Sequence, residues 1–239
     1  MLRGTVLCVQ RSEAIRFASR YLTDLGIDVT DKCAPDVTHV LLPVPSFQNG
    51  DEYLAHLLTK LPDELTISGG NLHSPLLEGY RCIDFLQDPY YLAQNAAITA
   101  ESAVRLLEKQ CDLTEKRALI IGWGRIGKCL CPLMKEKGAT VTVAARKIPD
   151  LAMIQALSYG SISIADAPEA TKQFDIILNT IPVLLFPQIQ TSPDCILMEL
   201  ASKPGMTGPN IIDARGLPGR ISPIKSGKLI AETFLRLSM

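Results

Sequence analysis

The run Ile120-Ile121-Gly122-Trp123-Gly124-Arg125-Ile126-Gly127 sets three glycines at the spacing G-x-G-x-x-G. It follows an apolar stretch, Ala118–Ile121, that reads as a strand. It opens a segment, Arg125–Lys137, in which Ile126, Leu130 and Leu133 recur at helical spacing. Glycines in that context let a diphosphate approach bare backbone. Gly122 permits a tight turn, Gly124 removes the side chain that would stand before the phosphates, and Gly127 lets helix and strand pack closely. The first N–H groups of the helix lack partners within it, and that end carries about half a positive charge. The motif points to a bound dinucleotide lined by Gly122, Trp123, Gly124, Arg125, Ile126 and Gly127. The plainer reading is a turn that merely needs glycine.

The next strand, Thr140–Ala145, runs into Arg146-Lys147. An NAD site usually places a carboxylate there, about 20 residues after the glycines, on the ribose 2′-hydroxyl. A guanidinium and an ammonium suit a 2′-phosphate instead. The pair favours NADP and leaves NAD open, against the alternative of a solvated loop. Three later strands end in Asn179-Thr180-Ile181-Pro182, Ala201-Ser202-Lys203-Pro204-Gly205 and Arg215-Gly216-Leu217-Pro218-Gly219. Ligands of open α/β sheets bind beyond such carboxyl ends. Asn179, Thr180 and Pro182 are therefore expected at the dinucleotide.

These residues need a scaffold. Strands at Thr140–Ala145, Ser161–Ile164, Asp175–Asn179, Ile196–Leu200 and Ile211–Asp213 join Ala118–Ile121, with helices between them. Six such strands predict an α/β, doubly wound parallel sheet of Rossmann type. Pro132 should bend the helix that contains it. Upstream, Thr5–Val9, Val37–Leu42, Leu65–Ser68 and Tyr80–Phe85 read as strands. Ser12 caps a helix through Leu25, and Asp51–Leu61 reads as another. This predicts a second, smaller α/β N-terminal domain. Asp88–Ile98 reads as a connector, and Thr99 as the cap of a linker helix ending near Cys111. A last helix runs from Pro223 to Leu237, with Gly227 allowing it close to the linker helix. The expected domains are 1–95 and 96–239, the second including the linker and C-terminal helices.

Composition narrows the field. The 239 residues are 47% hydrophobic and 21% charged with net charge −1, which excludes a disordered chain and gives no basic footprint for nucleic acid. No stretch reaches the roughly 18 apolar residues of a membrane span, and the first residues lack signal-peptide features. A cytoplasmic protein with no membrane role is expected. The seven cysteines form no CxxC pair, so reduced thiols and no metal are expected.

At IGWGRIGKCL, VTVAAR, ILNTIP, LMELASKPG and ARGLPGRISPIKSGKLIAETFL the chain resembles the A-subunit family of dipicolinate synthase. NAAITAESAV matches too, and VLLPV and SGGN do so more loosely. The order NTIP, LASKPG, GLPG is far more specific than the glycine motif. One departure is that Thr5–Gln10 runs into Arg11-Ser12, where the family carries a glycine-rich turn. The resemblance implies an NADP-dependent oxidoreductase that works with a flavoprotein-like B subunit. It would oxidise a dihydrodipicolinate-type intermediate, from a branch of lysine biosynthesis, to pyridine-2,6-dicarboxylate in sporulation. Two substrate carboxylates then call for cations: Lys203 first, at a position where relatives also carry a basic residue, then Arg215, Arg220 and Lys225. Glu101, read as lying in the first turn of the linker helix, is the candidate for proton transfer beside Lys203 in the catalytic set, or else a favourable charge at a helix start. His39, His56 and His73 all fall in the first domain, and no histidine follows the last strand. That disfavours a dehydrogenase of the 2-hydroxyacid type. A non-catalytic NADP-binding scaffold is the third reading, and a homo-oligomer stays open.

Overall fold

The computed structural model describes residues 4–47, 52–62 and 64–238. In chain order the elements are β1 (Thr5–Cys8), α1 (Glu13–Asp24), β2 (Val29–Thr30), β3 (Val37–Leu41), α2 (Glu52–Leu58), β4 (Thr66–Gly69), β5 (Arg81–Asp84) and α3 (Pro89–Leu107). Then follow β6 (Arg117–Ile121), α4 (Arg125–Glu136), β7 (Thr140–Ala145), α5 (Ile148–Ala156), β8 (Gly160–Ser163), α6 (Ala167–Ala170) and β9 (Ile176–Asn179). The chain closes with β10 (Ile196–Glu199), β11 (Ile211–Asp213), α7 (Leu217–Ile221) and α8 (Pro223–Ser238). They divide into two compact units, Met1–Asn95 with Pro218–Met239, and Ala96–Leu217.

The first unit is a parallel sheet in the order β2-β1-β3-β4-β5. Leu7, Val40, Leu57 and Ile67 build a core on one face, each buried side chain contributing about 1.5–3 kcal/mol. α1 buries Ile15, Ala18 and Leu22, and α8 buries Gly227, Ile230 and Phe234. A Cβ on Gly227 would lie 2.5 Å from the Ala14 carbonyl oxygen and 2.6 Å from Phe17 Cβ. The close approach expected of Gly227 is therefore made to α1, not to the linker helix, and residues 218–239 join the first unit rather than the second. The Tyr21 hydroxyl donates to Glu232 across the same contact at 3.2 Å. The two-residue edge strand β2 is too short to read from the sequence. Of the helix expected over Asp51–Leu61, Glu52–Leu58 is helical and Asp51 lies outside the described residues.

The expected connector is helix. α3 starts at Pro89, where a missing N–H costs nothing, and the Asp88 carboxylate accepts from the Tyr91 amide at 2.7 Å. Thr99 is buried in the helix interior, ten residues past the helix start, and is not its N-cap.

The second unit is a six-stranded parallel sheet in the order β11-β10-β9-β6-β7-β8. The first strand of this unit, β6, is central, and the connections wind outward on both sides, as in a Rossmann sheet. Leu119, Ile120 and Ile121 are fully buried, which explains the uninterrupted apolar run. α4 continues through Pro132. Among the described residues no helix is long and apolar enough to cross a membrane.

Candidate functional site: the β6–α4 turn

Gly122 holds φ +106°, a conformation that glycine adopts without strain. Its amide donates to the Ala144 carbonyl at 2.9 Å. A Cβ here would lie 2.6 Å from Thr180 Oγ1 and 2.7 Å from Ile181 Cγ2. A Cβ on Gly127 would run into the Gly122 carbonyl oxygen, whereas one on Gly124 would meet nothing within 4 Å. Gly124 is the N-cap of α4, and no side chain caps it. The first bond of the helix ladder is Lys128 N to Gly124 O at 2.9 Å, so the amides before it have no acceptor within the helix. Packed glycines behind and an open, uncapped helix end in front make a cradle that fits a diphosphate.

Beside the cradle lies a cavity of about 420 Å³ whose walls include Trp123, Gly124, Arg146, Lys147, Asp150 and Pro182. That is the size of a small-molecule site. Arg146 and Lys147 are exposed immediately after β7. The nearest acid on this wall is Asp150, in the first turn of α5. Two cations against one carboxylate leave this end electropositive, as a phosphate requires.

The ends of β9 and β10 are tied by a polar group that the sequence pattern does not single out. Glu199 is 3% exposed. Its Oε1 accepts from Asn179 Nδ2 at 2.8 Å and from the Ala201 amide at 3.0 Å. Its Oε2 accepts from the amides of Gly205 at 2.8 Å and Met206 at 3.3 Å. Asn179 Nδ2 also donates to the Ile181 carbonyl at 2.9 Å, and Oδ1 accepts from the Ile181 amide at 3.3 Å. Asn179 is thus fully buried and engaged with its own loop, a positioning residue rather than a ligand contact. Thr180 Oγ1 likewise donates inward, to the Ile121 carbonyl at 2.8 Å, while Pro182 lines the cavity. A carboxylate ending the apolar run Ile196-Leu197-Met198 is the available signal for Glu199.

Lys203 is exposed on the turn that Glu199 anchors. Arg215 is exposed and pairs with Asp213, Nε to Oδ1 at 2.8 Å, which holds the guanidinium firmly charged. Lys225, on α8, and Arg220 belong to the first unit. Glu101 does not sit in a first turn: α3 begins about three turns earlier, so the helix-start reading of its charge falls. The seven cysteines are free, and among the described residues no His, Cys, Asp or Glu cluster could hold a metal.

No family model matches the chain. It is 30% identical over 156 residues to the dipicolinate synthase A subunit of Bacillus subtilis (strain 168), a match covering 60% of this chain and 52% of that protein. The matched segment thus spans about half the length of that curated relative. Crystal structures of the dipicolinate synthase A subunit from Bacillus halodurans and of the A chain from Bacillus subtilis superpose with TM-scores of 0.82 and 0.78. They are 20% and 19% identical, the alignments covering 98% and 99% of this chain and 97% and 96% of theirs. The chain is a relative of the dipicolinate synthase A subunit. The dipicolinate synthase A chains carry the same two-unit α/β fold over nearly their full length.

Proposed function

We propose that the chain is an NADP-dependent oxidoreductase component that converts a dihydrodipicolinate-type intermediate to pyridine-2,6-dicarboxylate, partnered by a B subunit. The observation that carries this reading is the uncapped α4 N-terminus facing a cavity with Arg146 and Lys147 on its wall, in a chain related to the dipicolinate synthase A subunit. When bound, the nicotinamide would supply a hydride acceptor. The remaining work falls to the chain. The amides of the first α4 turn hold the diphosphate, and Arg146 and Lys147 hold the 2′-phosphate. Glu199 fixes the turn that carries Lys203, and Lys203 and Arg215 take the substrate carboxylates. The oxidation would remove one hydride and one proton from the ring to leave the aromatic dicarboxylate, the hydride going to that acceptor and the proton to a base. Aromatisation supplies the driving force, so orientation of the ring is the main task. Glu101 is the candidate for receiving the proton. Glu101→Gln should slow turnover and leave NADP binding intact.

The test is co-expression with a B subunit, followed by assay of dipicolinate absorbance as NADP is consumed. Formation of dipicolinate with equimolar NADPH supports the reading. Tight NADP binding with no product under any combination of subunits would replace it with a scaffold role.

A further inference from the structure

A second hollow adjoins the phosphate turn, against α4 and α5. It measures about 440 Å³ and is lined by Trp123, Lys128, Pro132, Met153, Leu157 and Tyr159. Met153 and Leu157 are 54% and 49% exposed, and Ile148, at the start of α5, is 81% exposed. Leaving apolar surface in water costs about 25 cal/mol per Å², and contiguous patches of it mark binding sites more often than plain surface.

The lining specifies what would cover it. Two walls are aromatic rings, and each has an ammonium over it. Lys128 Nζ is 5.7 Å from the Trp123 ring centroid, and Lys135 Nζ is 5.3 Å from that of Tyr159. Ring faces and the Met153 thioether favour a flat apolar ring. The Lys128 ammonium in the lining and the Lys135 ammonium beside Tyr159 favour an anion and repel a cationic ring. The volume lies within the range of small-molecule sites, about 300–1,000 Å³.

We propose that this hollow binds a planar aromatic carboxylate, its ring against Trp123 and Tyr159 and its carboxylate on the lysines. Trp123 also lines the cavity beside the glycine cradle, so one indole serves as a wall of both. Both cavities are open with the indole in one orientation. A ligand that stacks on it there also holds the neighbouring cavity ready. The two sites are therefore coupled with positive sign, and the coupling is reciprocal. The coupling rests on the dinucleotide reading of the cradle; the ring site itself does not.

Calorimetric titration of the purified chain with 1-naphthoate tests the site. The expected result is saturable binding with a dissociation constant below about 1 mM, weakened about tenfold or more for uncharged 1-naphthalenemethanol and in Leu157→Glu. Leu157 is exposed and outside the cradle, so the variant should fold and bind NADPH as the parent does. Lys128→Gln provides a second variant that should weaken naphthoate binding without adding charge to the apolar wall. Saturating naphthoate should tighten NADPH binding about fivefold. Absence of saturable naphthoate binding overturns the site, as does binding that neither variant weakens. Self-association of the chain that Leu157→Glu abolishes, with no naphthoate binding, overturns it in favour of an interface between copies. Unchanged or weaker NADPH binding at saturating naphthoate overturns the coupling. If NADPH does not bind at all, the cofactor reading falls while the naphthoate titration still decides the ring site.

Discussion

Each unit runs an inner strand of its sheet into a helix, and the two turns treat the first helical amides in opposite ways. At β1–α1 the Ser12 hydroxyl accepts from the Ile15 amide at 3.3 Å, so the chain completes its own helix end. At β6–α4 the corresponding place is Gly124, and no side chain does so. A serine cap is worth about 1 kcal/mol. Glycine in the second unit forgoes roughly a few tenths of a kcal/mol of it, at a place where three glycines leave the backbone bare and two cations follow the next strand. The contrast separates a helix end closed by its own chain from one left open.

The sharpest way to break the contrast is to give the second turn what the first one has. Gly124→Asp adds a capping carboxylate where a Cβ meets no neighbour. The expected outcome is a thermal midpoint raised by the equivalent of roughly a few tenths of a kcal/mol, since glycine is itself a tolerated cap, together with NADPH affinity lowered at least about a hundredfold. Calorimetric melting and titration measure both on one sample. Parent-like affinity in this variant would show that phosphates do not sit on the α4 amides. Next in size is Arg146→Ala, which removes one cation from the cavity wall. NADPH affinity should fall about tenfold, with NADH affinity unchanged. The gap should narrow at high ionic strength, where exposed charges are screened. Equal losses for the two cofactors would assign Arg146 to something other than the 2′-phosphate.

How far the sequence can be read follows from the same physics. The β6–turn–α4 segment is legible because its signals agree: a buried apolar strand, glycines at fixed offsets, then helical periodicity. α3 is only half legible. The half from Thr99 on reads as helix from its apolar spacing. In the half that reads as a connector only Tyr91, Ala96 and Ile98 are buried, and the steps from one to the next are not the three or four of a helical face. The Asp88-Pro89 start is the better signal. α8 is legible as a helix but not as part of the first unit, since an amphipathic pattern says that a face is buried and not against what. Glu199 escapes notice because a carboxylate closing an apolar run reads as the edge of a strand. Its partners are the Ala201, Gly205 and Met206 amides and Asn179, and only the fold brings these together.

The control for the first contrast is Ser12→Ala. It should cost about 1 kcal/mol of stability and leave NADPH affinity untouched, because it opens a helix end in the unit that has no glycine cradle. A denaturant titration and a binding isotherm check the two halves. Any loss of cofactor affinity in Ser12→Ala would mean that the two turns are not independent.

The smallest expected effect separates the units by pH. His39 on β3 packs edge-on against Phe234, ring centroids 5.9 Å apart, and its Nδ1 is 2.9 Å from Thr38 Oγ1. Burial first, and the Arg81 charge second, hold its imidazole below the ordinary value of 6.5. The unfolded chain therefore takes up a proton near that pH before the folded one does. Between the two values the unfolded state binds more protons, so stability falls as pH drops below 6.5. Asp88 in the first unit, held down by the Arg236 side chain, and Asp175 in the second, held down by Arg117, sit below the ordinary 3.8. Their contributions are present above 3.8 and are lost only as pH falls further, through the depressed values. The first acid loss should thus belong to the first unit alone, and His39→Gln should flatten the decline that begins at 6.5 while leaving the decline below 3.8 in place. Melting curves at closely spaced pH values decide it. A decline below 6.5 of the same slope in His39→Gln would assign that titration to another group.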